Sequence, residues 1–494
     1  MRLPALPSAI LPVAFFSVLG FLVMGYHPGA EDDAVYLAAI KSRLNPALYP
    51  HDSAFFKLQM QASVFDTAMA AFVRLTHIPL AWAELLGQLL AIVLIFWASW
   101  RILCILFDEI PARWGGLAVL SAMLTLPIAG TALYIADQYL HPRNLATALI
   151  LLACLRVLER RWITAPLLLT AAILLHPMMG AFGLSFCAFL ALTHSPTILA
   201  KLNRFTRTPQ HALAVLPIGW ILKPPPPGWV DAMRPRHCFW LYQWTWYEWL
   251  GALAPLILFY ALMRWVRARG ETPLARFSIA VLLFALFHQA IAMILCGPSA
   301  LVVLATTEPM RYLQLVYIFL ALVGGALLGR SILKAHAARW TIFLLVLNIP
   351  MFLVQRHLFA ATPHIELPGA PSTNPWLQAF TWIRVNTPPD AYFAAGPQYL
   401  AAPAEDMHSF RALAEHSILA DDLKDRSVLS KAPALIPEWQ RQLNAQQGWD
   451  RFQLADFKQL KRNVGVEWLL LDRTPPPGLQ CPWSSQQIFV CRIP

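Results

Sequence analysis

Acidic residues are scarce in this chain. There are 27 Asp and Glu in 494 residues, and charged residues of every kind make up only 13%. With 58% of the sequence hydrophobic and a mean hydropathy of +0.52, too little polar surface is available to cover a water-soluble fold of this size. The composition is that of an α-helical multispanning membrane protein. Cysteine is sparse as well, seven in all, without the paired short spacings of a zinc site. Cys104, Cys154, Cys187, Cys238 and Cys296 lie in or beside apolar runs, where a thiol serves as a small core residue. Cys481 and Cys491 stand in a polar tail and close a hairpin if that tail faces an oxidising compartment. A Walker loop, an HExxH site and a GxSxG elbow are all missing, which argues against nucleotide hydrolysis.

What is present is a series of apolar stretches long enough for the roughly 30 Å of a bilayer core, some of them only inside a bundle. They fall at 7–26, 83–107, 115–134, 144–158, 163–178, 180–194, 211–222, 246–265, 277–296, 311–329 and 340–357, about eleven spans. Basic residues recur on alternate connections. Sixteen cations, from Arg2 through Arg101, Arg113 and the Arg156–Arg161 group to Arg339, share one side with only Asp108, Glu109, Glu159 and Glu271. That excess of twelve accounts for the net charge of +11, so the basic balance reports orientation rather than a nucleic-acid partner. The expected topology has a cytoplasmic N-terminus, outer loops at 27–82, 135–143, 223–245 and 297–310, and an outer tail. The transmembrane part covers 1–358. From 372 to 494 charge density becomes ordinary, and PWLQAFTWIRVN reads as a helix while AYFAA, VEWLLLD and QIFVCRI read as strands. A small soluble α/β domain is expected there, outside the membrane.

The scarce acids are not scattered. Glu31, Asp32 and Asp33 adjoin one another in HPGAEDDAVYL, just past the first span. Capping a helix and meeting its dipole requires one acid. Three in an apolar region suit a general base or a divalent-cation site, because like charges raise one another's pKa. The helix that follows, DAVYLAAIKSRL, places Leu37, Ile40 and Leu44 on one face, so it is expected to lie amphipathically on the outer membrane surface, as is 62–79. The second outer loop, ADQYLHPRN, supplies Asp137, His141 and Arg143; it is either a self-neutralised turn or a second contribution to the same mouth. Glu308 and Arg311 begin a late span, where the arginine either snorkels to headgroups or grips a phosphate. His176 and His288 read as histidines satisfied by one neighbour, with His176 also a candidate for substrate contact. HCFWLYQWTWYEWLG reads as an interfacial aromatic belt or as a wall for a sugar ring or prenyl chain with Glu248 as its polar element, and Asp421 and Asp422 of LADDLKD read as solvated loop residues.

This architecture resembles the GT-C superfamily: a first span with its N-terminus inside, a long outer loop opening with acids and an amphipathic helix, an acid in the second outer loop, many further spans and a soluble outer tail. The superfamily comprises membrane glycosyltransferases that use polyprenyl-phosphate-linked sugars, such as protein mannosyltransferases and aminoarabinose and oligosaccharyl transferases. The matching motif is the acidic pair, Glu31-Asp32 or Asp32-Asp33. The chain looks closer still to a group of bacterial membrane proteins carrying HPxxED, a WYEWLG-like segment and an LADDxKD-like tail, a kinship that supplies no activity. The resemblance implies a bacterial cytoplasmic (inner) membrane enzyme. In it Asp32 or Asp33 deprotonates an acceptor hydroxyl or anchors a metal, with Asp137 as a further metal ligand, and Arg311 or Arg143 stabilises the departing lipid phosphate. Its partners are the bilayer and a polyprenyl-phosphate-linked sugar. Two rivals stand beside it: a transporter or flippase for a lipid-linked saccharide, with ionisable residues deep in several helices, and a non-catalytic envelope assembly protein.

Overall fold

The computed structural model describes residues 7–194, 225–296 and 301–494. Among them, six helices are long and apolar enough to cross a membrane: Leu80–Leu106, Pro177–His194, Trp246–Ala268, Thr272–Cys296, Val302–Leu333 and Ala337–Leu358. Helices α1 (Pro7–Met24), α6 (Ile110–Met123), α7 (Pro142–Leu158) and α8 (Thr164–Leu175) occupy four further expected spans, the last three with 17 residues or fewer. The stretch at 211–222 lies outside the described residues.

The largest departure is at 115–134. The helix there stops at Met123, because Pro127 breaks it and Gly130 adopts φ +61° against the Trp244 ring. The chain from 124 to 141 is irregular backbone buried among helices, a conformation tolerated at such depth only when its polar groups are paired. Glutamines and an asparagine on neighbouring helices pair them. Gln88 Nε2 donates to Asp137 O at 2.6 Å, Asn144 Oδ1 accepts from Asp137 N at 3.1 Å, and Gln314 Nε2 donates to Ile135 O at 2.9 Å. α6 meets the helix Leu313–Leu328 at glycines, where a Cβ on Gly115 would stand 2.2 Å from Gly325 O. No larger side chain fits that crossing.

Between the first span and α5 (Leu80–Leu106) lie α2 (Asp33–Leu44), α3 (Ala54–Met60) and α4 (Phe65–Thr76). α2 does not rest on a surface. Asp33 to Ile40 and Ser42 are all buried. One flank packs with Tyr49, Phe56, Phe65, Leu140, Val428 and Ala432, while Lys41 donates to Ala412 O at 2.7 Å and pairs with Glu415 at 2.8 Å. The apolar stripe that suggests a bilayer partner is covered instead by other parts of the same chain. α4 carries the exposed apolar residues Phe72 and Leu75, and its buried Asp66 pairs with Arg43 at 2.8 Å.

The C-terminal region forms a five-stranded sheet in the order β2-β1-β3-β5-β4. β1 is Tyr392–Ala394, β2 Ser417–Ile418, β3 Trp468–Leu471, β4 Gln480–Ser485 and β5 Ile488–Arg492. β1 runs parallel to β2 and β3, and β5 is antiparallel to β3 and β4. Three of these strands and the helix Pro375–Asn386 match the apolar patterns in the sequence; β2 and β4 are too short or too polar to register. Cys481 and Cys491 are joined across β4 and β5, and the other five cysteines are buried thiols. From 420 to 439 the chain leaves the sheet and packs into the core of the helical bundle through Ala420, Leu429, Ile436 and Trp439.

Candidate functional site

That excursion closes one side of a chamber of about 790 Å³. Its walls come from seven stretches: Asp32, Val35 and Tyr36 at the start of α2; Leu58, Met60, Ala62 and Ser63; His141, Pro142 and Arg143; Leu175 to Met178; Arg236 and Phe239; Val303, Glu308 and Arg311; and Lys424, Ser427, Ser430 and Lys431. One part of this lining is apolar and the other densely charged. The volume is typical of sites for small organic ligands.

Six of the residues singled out in the sequence meet here: Asp32, His141, Arg143, His176, Glu308 and Arg311. Asp32 is the carboxylate that opens into the chamber, with its side chain 43% exposed, and it pairs with Lys424 Nζ at 2.9 Å. Burial acts to raise its pKa, but the charges of Lys424 and Arg143 outweigh that and hold the carboxyl below its ordinary range. His141 caps α7 by accepting from Arg143 N through Nδ1 at 2.9 Å. Its neutral form therefore carries the proton on Nε2. Burial and the neighbouring Arg143 keep it neutral, well below the usual histidine pKa. Tyr36 meets its ring edge-on at 4.6 Å, and the His176 ring lies 5.9 Å away. Arg311 pairs with Glu308 at 2.8 Å, and Lys431 donates to Thr306 O at 2.6 Å.

Three expected residues are not in the lining. Asp33 turns away from the chamber and accepts from Gly29 N at 2.7 Å, 2% exposed. Burial lifts its carboxyl to about 7 against the pull of Gly29 N–H and Lys41. Asp137 sits behind Arg143, held at 2.6 Å. Glu31 occupies a strained turn at φ +49° whose N–H donates to Met407 O at 2.9 Å. Burial raises its carboxyl despite Lys424. Adjacent acids on a helix start point in different directions, about 100° apart per residue, so three neighbours cannot share one ligand.

The divalent cation suggested for Asp32, Asp33 and Asp137 therefore lacks a ligand set. Each carboxylate faces a different partner, and among the described residues no three His, Cys, Asp or Glu side chains are grouped to hold a metal. No chemical step is assigned to a metal. His288 is satisfied by Ser185 Oγ at 2.9 Å, and Glu248 caps its own helix and meets His237 at 2.7 Å, so neither reaches the chamber.

Lys424, Lys431 and Arg236 are the residues that sequence reasoning misses. The LADDLKD segment is not solvated. Asp421 is 4% exposed and accepts from Leu423 N at 2.7 Å, while Asp425 is 2% exposed and engages Arg411 at 2.7 and 2.9 Å. Arg411 also grips Asp52, in the loop between α2 and α3, at 2.5 Å. The tail is thus fastened to that loop, with Lys424 aimed at Asp32.

Asp33 yields a pH prediction. Its carboxyl holds a proton to about 7 when folded and only to about 3.8 in an ordinary setting. The folded state binds more protons between those values, so stability falls as pH rises through that window, by up to about 1.4 kcal/mol per pH unit. Asp33→Asn flattens that slope. A thermal-unfolding series in detergent should show the variant melting above the unaltered chain at pH 8 and level with it at pH 4.

No family model matches this chain, and no curated protein matches it. Among solved structures, the oligosaccharyltransferase of Archaeoglobus fulgidus in its apo form is similar over 94% of this chain and 69% of that one, with 12% sequence identity and a TM-score of 0.43.

Proposed function

We propose that the protein is a membrane glycosyltransferase that moves a sugar from a polyprenyl-phosphate carrier to an acceptor hydroxyl at the outer face of a bacterial cytoplasmic membrane. The observation that carries this reading is the pairing, in one chamber, of an accessible carboxylate with three arginines that keep a spare donor. Arg143, Arg236 and Arg311 all line it, and the buried Nε–H of each has no hydrogen-bond partner among the described residues. An unmet buried donor on a charged group costs about 1–3 kcal/mol or more, and a phosphate presents paired oxygens that the planar fork of an arginine grips. The apolar lining formed by Leu58, Met60, Leu175, Met178, Phe239 and Val303 suits the first isoprene units of a prenyl chain.

In this reading the acceptor hydroxyl attacks the anomeric carbon, Asp32 takes its proton, and the lipid phosphate leaves toward Arg311 and Arg143 with inversion at the sugar. Positioned cations at the leaving oxygen are typically worth a few kcal/mol in such a step. The joined Cys481 and Cys491 support an outer location for the tail, since such bonds persist in oxidising compartments.

Binding tests the reading without knowledge of the sugar. The full chain in nanodiscs should bind farnesyl phosphate more tightly than farnesol. Arg311→Ala and Arg236→Ala should each weaken farnesyl phosphate by roughly 10- to 100-fold, the loss expected for a charge-assisted contact, and leave farnesol unchanged. Equal binding of phosphate and alcohol would remove the basis of the proposal.

A further inference from the structure

We propose that Lys424, supplied by the C-terminal region, is a working group of this reaction: its ammonium guards Asp32 in the resting chamber and passes to the carrier phosphate when the donor binds. The inference rests on the transferase reading and adds to it the residue that does the work a divalent cation would otherwise do.

The geometry supports it in three ways. Asp32 carries the accessible carboxylate of the lining, and Lys424 Nζ already occupies its hydrogen-bonding face at 2.9 Å. A carboxylate so held is a weak base, so proton abstraction requires the ammonium to move. The rest of the site gives it somewhere to go. Of the other carboxylates near it, Asp137 is held by Arg143 and Glu308 by Arg311, while burial pushes Glu31 toward its neutral form despite Lys424, which leaves a bound phosphate as the anion it can reach. Finally, its backbone is fixed while its side chain lines the open chamber. Asp421 Oδ1 accepts from Lys424 N at 2.5 Å and Trp439 Nε1 donates to Asp421 O at 3.0 Å, whereas a lysine stem has four rotatable carbons and a compact charge.

The step balances without a metal. The acceptor oxygen bonds to the anomeric carbon as its proton passes to an Asp32 oxygen. The bond from that carbon to the phosphate oxygen breaks, leaving its electron pair on the phosphate. Lys424 keeps all its protons and offsets the new charge. Besides Lys424, the groups that face Asp32 are His141, Arg143, Asp137, Glu31, Tyr36 and the Tyr139 hydroxyl, to which Asp32 N donates at 3.2 Å. Of these, neutral His141 is unaffected by the switch, and Arg143 stays with Asp137.

Dicyclohexylcarbodiimide, which reacts with protonated carboxyls in apolar surroundings, provides the test. The full chain in nanodiscs is labelled between pH 4 and 8 and Asp32 is quantified by peptide mass spectrometry, with Asp32→Asn as the assignment control. In the unaltered chain Asp32 should stay unlabelled across the range. Lys424→Gln should raise its labelling at pH 5 by about tenfold or more, the effect of one pKa unit, and Lys424→Arg should restore protection. Farnesyl phosphate should raise Asp32 labelling in the unaltered chain and leave it unchanged in Lys424→Gln. Titration with Mn²⁺, followed by electron paramagnetic resonance, should find no ion whose binding depends on Asp32. Equal labelling with and without Lys424, labelling indifferent to farnesyl phosphate, or a stoichiometric Mn²⁺ lost in Asp32→Asn would each overturn the proposal. If farnesyl phosphate fails to bind at all, the transferase reading falls, while the Lys424→Gln comparison still decides whether the guard exists.

Discussion

Asp32→Asn should abolish sugar transfer while leaving the chamber closed and the donor bound. The amide keeps the size of the carboxylate and accepts from Lys424 through Oδ1, so the 2.9 Å contact survives as a hydrogen bond to a neutral acceptor. What it loses is the ability to take a proton. General-base contributions are usually worth about 10²–10⁴ in rate, and a loss of that size in turnover, with donor affinity changed by less than tenfold, is the expected result. Asp33→Asn is the matched control. Its side chain faces Gly29 N, away from the chamber, so transfer should continue at close to the original rate. The pair of variants separates an enzyme from an assembly protein, in which neither substitution matters. It also separates Asp32 from its neighbour, which sequence alone treats as equivalent.

Arg411→Ala should cost the chain more stability than Asp32→Asn, Asp33→Asn or truncation of either chamber arginine. Arg411 is 6% exposed, and its guanidinium joins Asp52 of the loop between α2 and α3, Asp425 of the tail and the Ile418 carbonyl. Truncation leaves two buried carboxylates facing each other without a cation, a change of about 3–5 kcal/mol for a broken buried pair. It also frees the two segments that carry Asp32 and Lys424. Thermal unfolding should drop by several degrees, and limited proteolysis should open the chain near 421–431 before the helices are cut. Asp52→Asn with Asp425→Asn in the same chain removes the stranded charges, and it should recover part of the loss when combined with Arg411→Met. Such recovery would locate the cost in electrostatics and not in packing.

Much of the site is legible in the sequence, for physical reasons. The expected sidedness gathers Asp32, His141, Arg143, Glu308 and Arg311 at one mouth, and these share one chamber with His176, which the sequence places within a span. Resolution within a run of acids is lost, because Glu31, Asp32 and Asp33 differ only in backbone direction, fixed by the turn at Gly29 and Glu31, both at positive φ. The pattern at 33–44 correctly implies a helix and wrongly implies a surface element. An amphipathic stripe reports that something apolar covers it, not whether that is lipid or Val428 and Phe65. The broken span at 115–134 shows the same limit, since Gln88, Asn144 and Gln314 read individually as tolerated polar residues in apolar helices. Their common target, the buried backbone of 135–137, is visible only in three dimensions.

The tail hides the most. Lys424 lies 392 positions from Asp32, and in a segment with the charge density of a soluble domain a lysine draws no notice. Its one local signal is LADDLKD itself, in which Asp421 and Asp425 are spaced to cap and brace the short turn that presents Lys424. Aspartates favour such places because their short side chains bond the backbone N–H groups two or three residues on, and that habit looks the same whether the turn is solvated or buried.

A cryo-electron microscopy reconstruction of the full chain in nanodiscs with farnesyl phosphate would decide whether Lys424 exchanges Asp32 for a phosphate. Phosphate density is expected in the chamber within hydrogen-bond distance of Arg311 and of a Lys424 that has left Asp32, with the prenyl chain along Phe239, Met178 and Val303. An empty chamber at saturating ligand, or phosphate bound elsewhere with Lys424 still on Asp32, would contradict the proposed exchange.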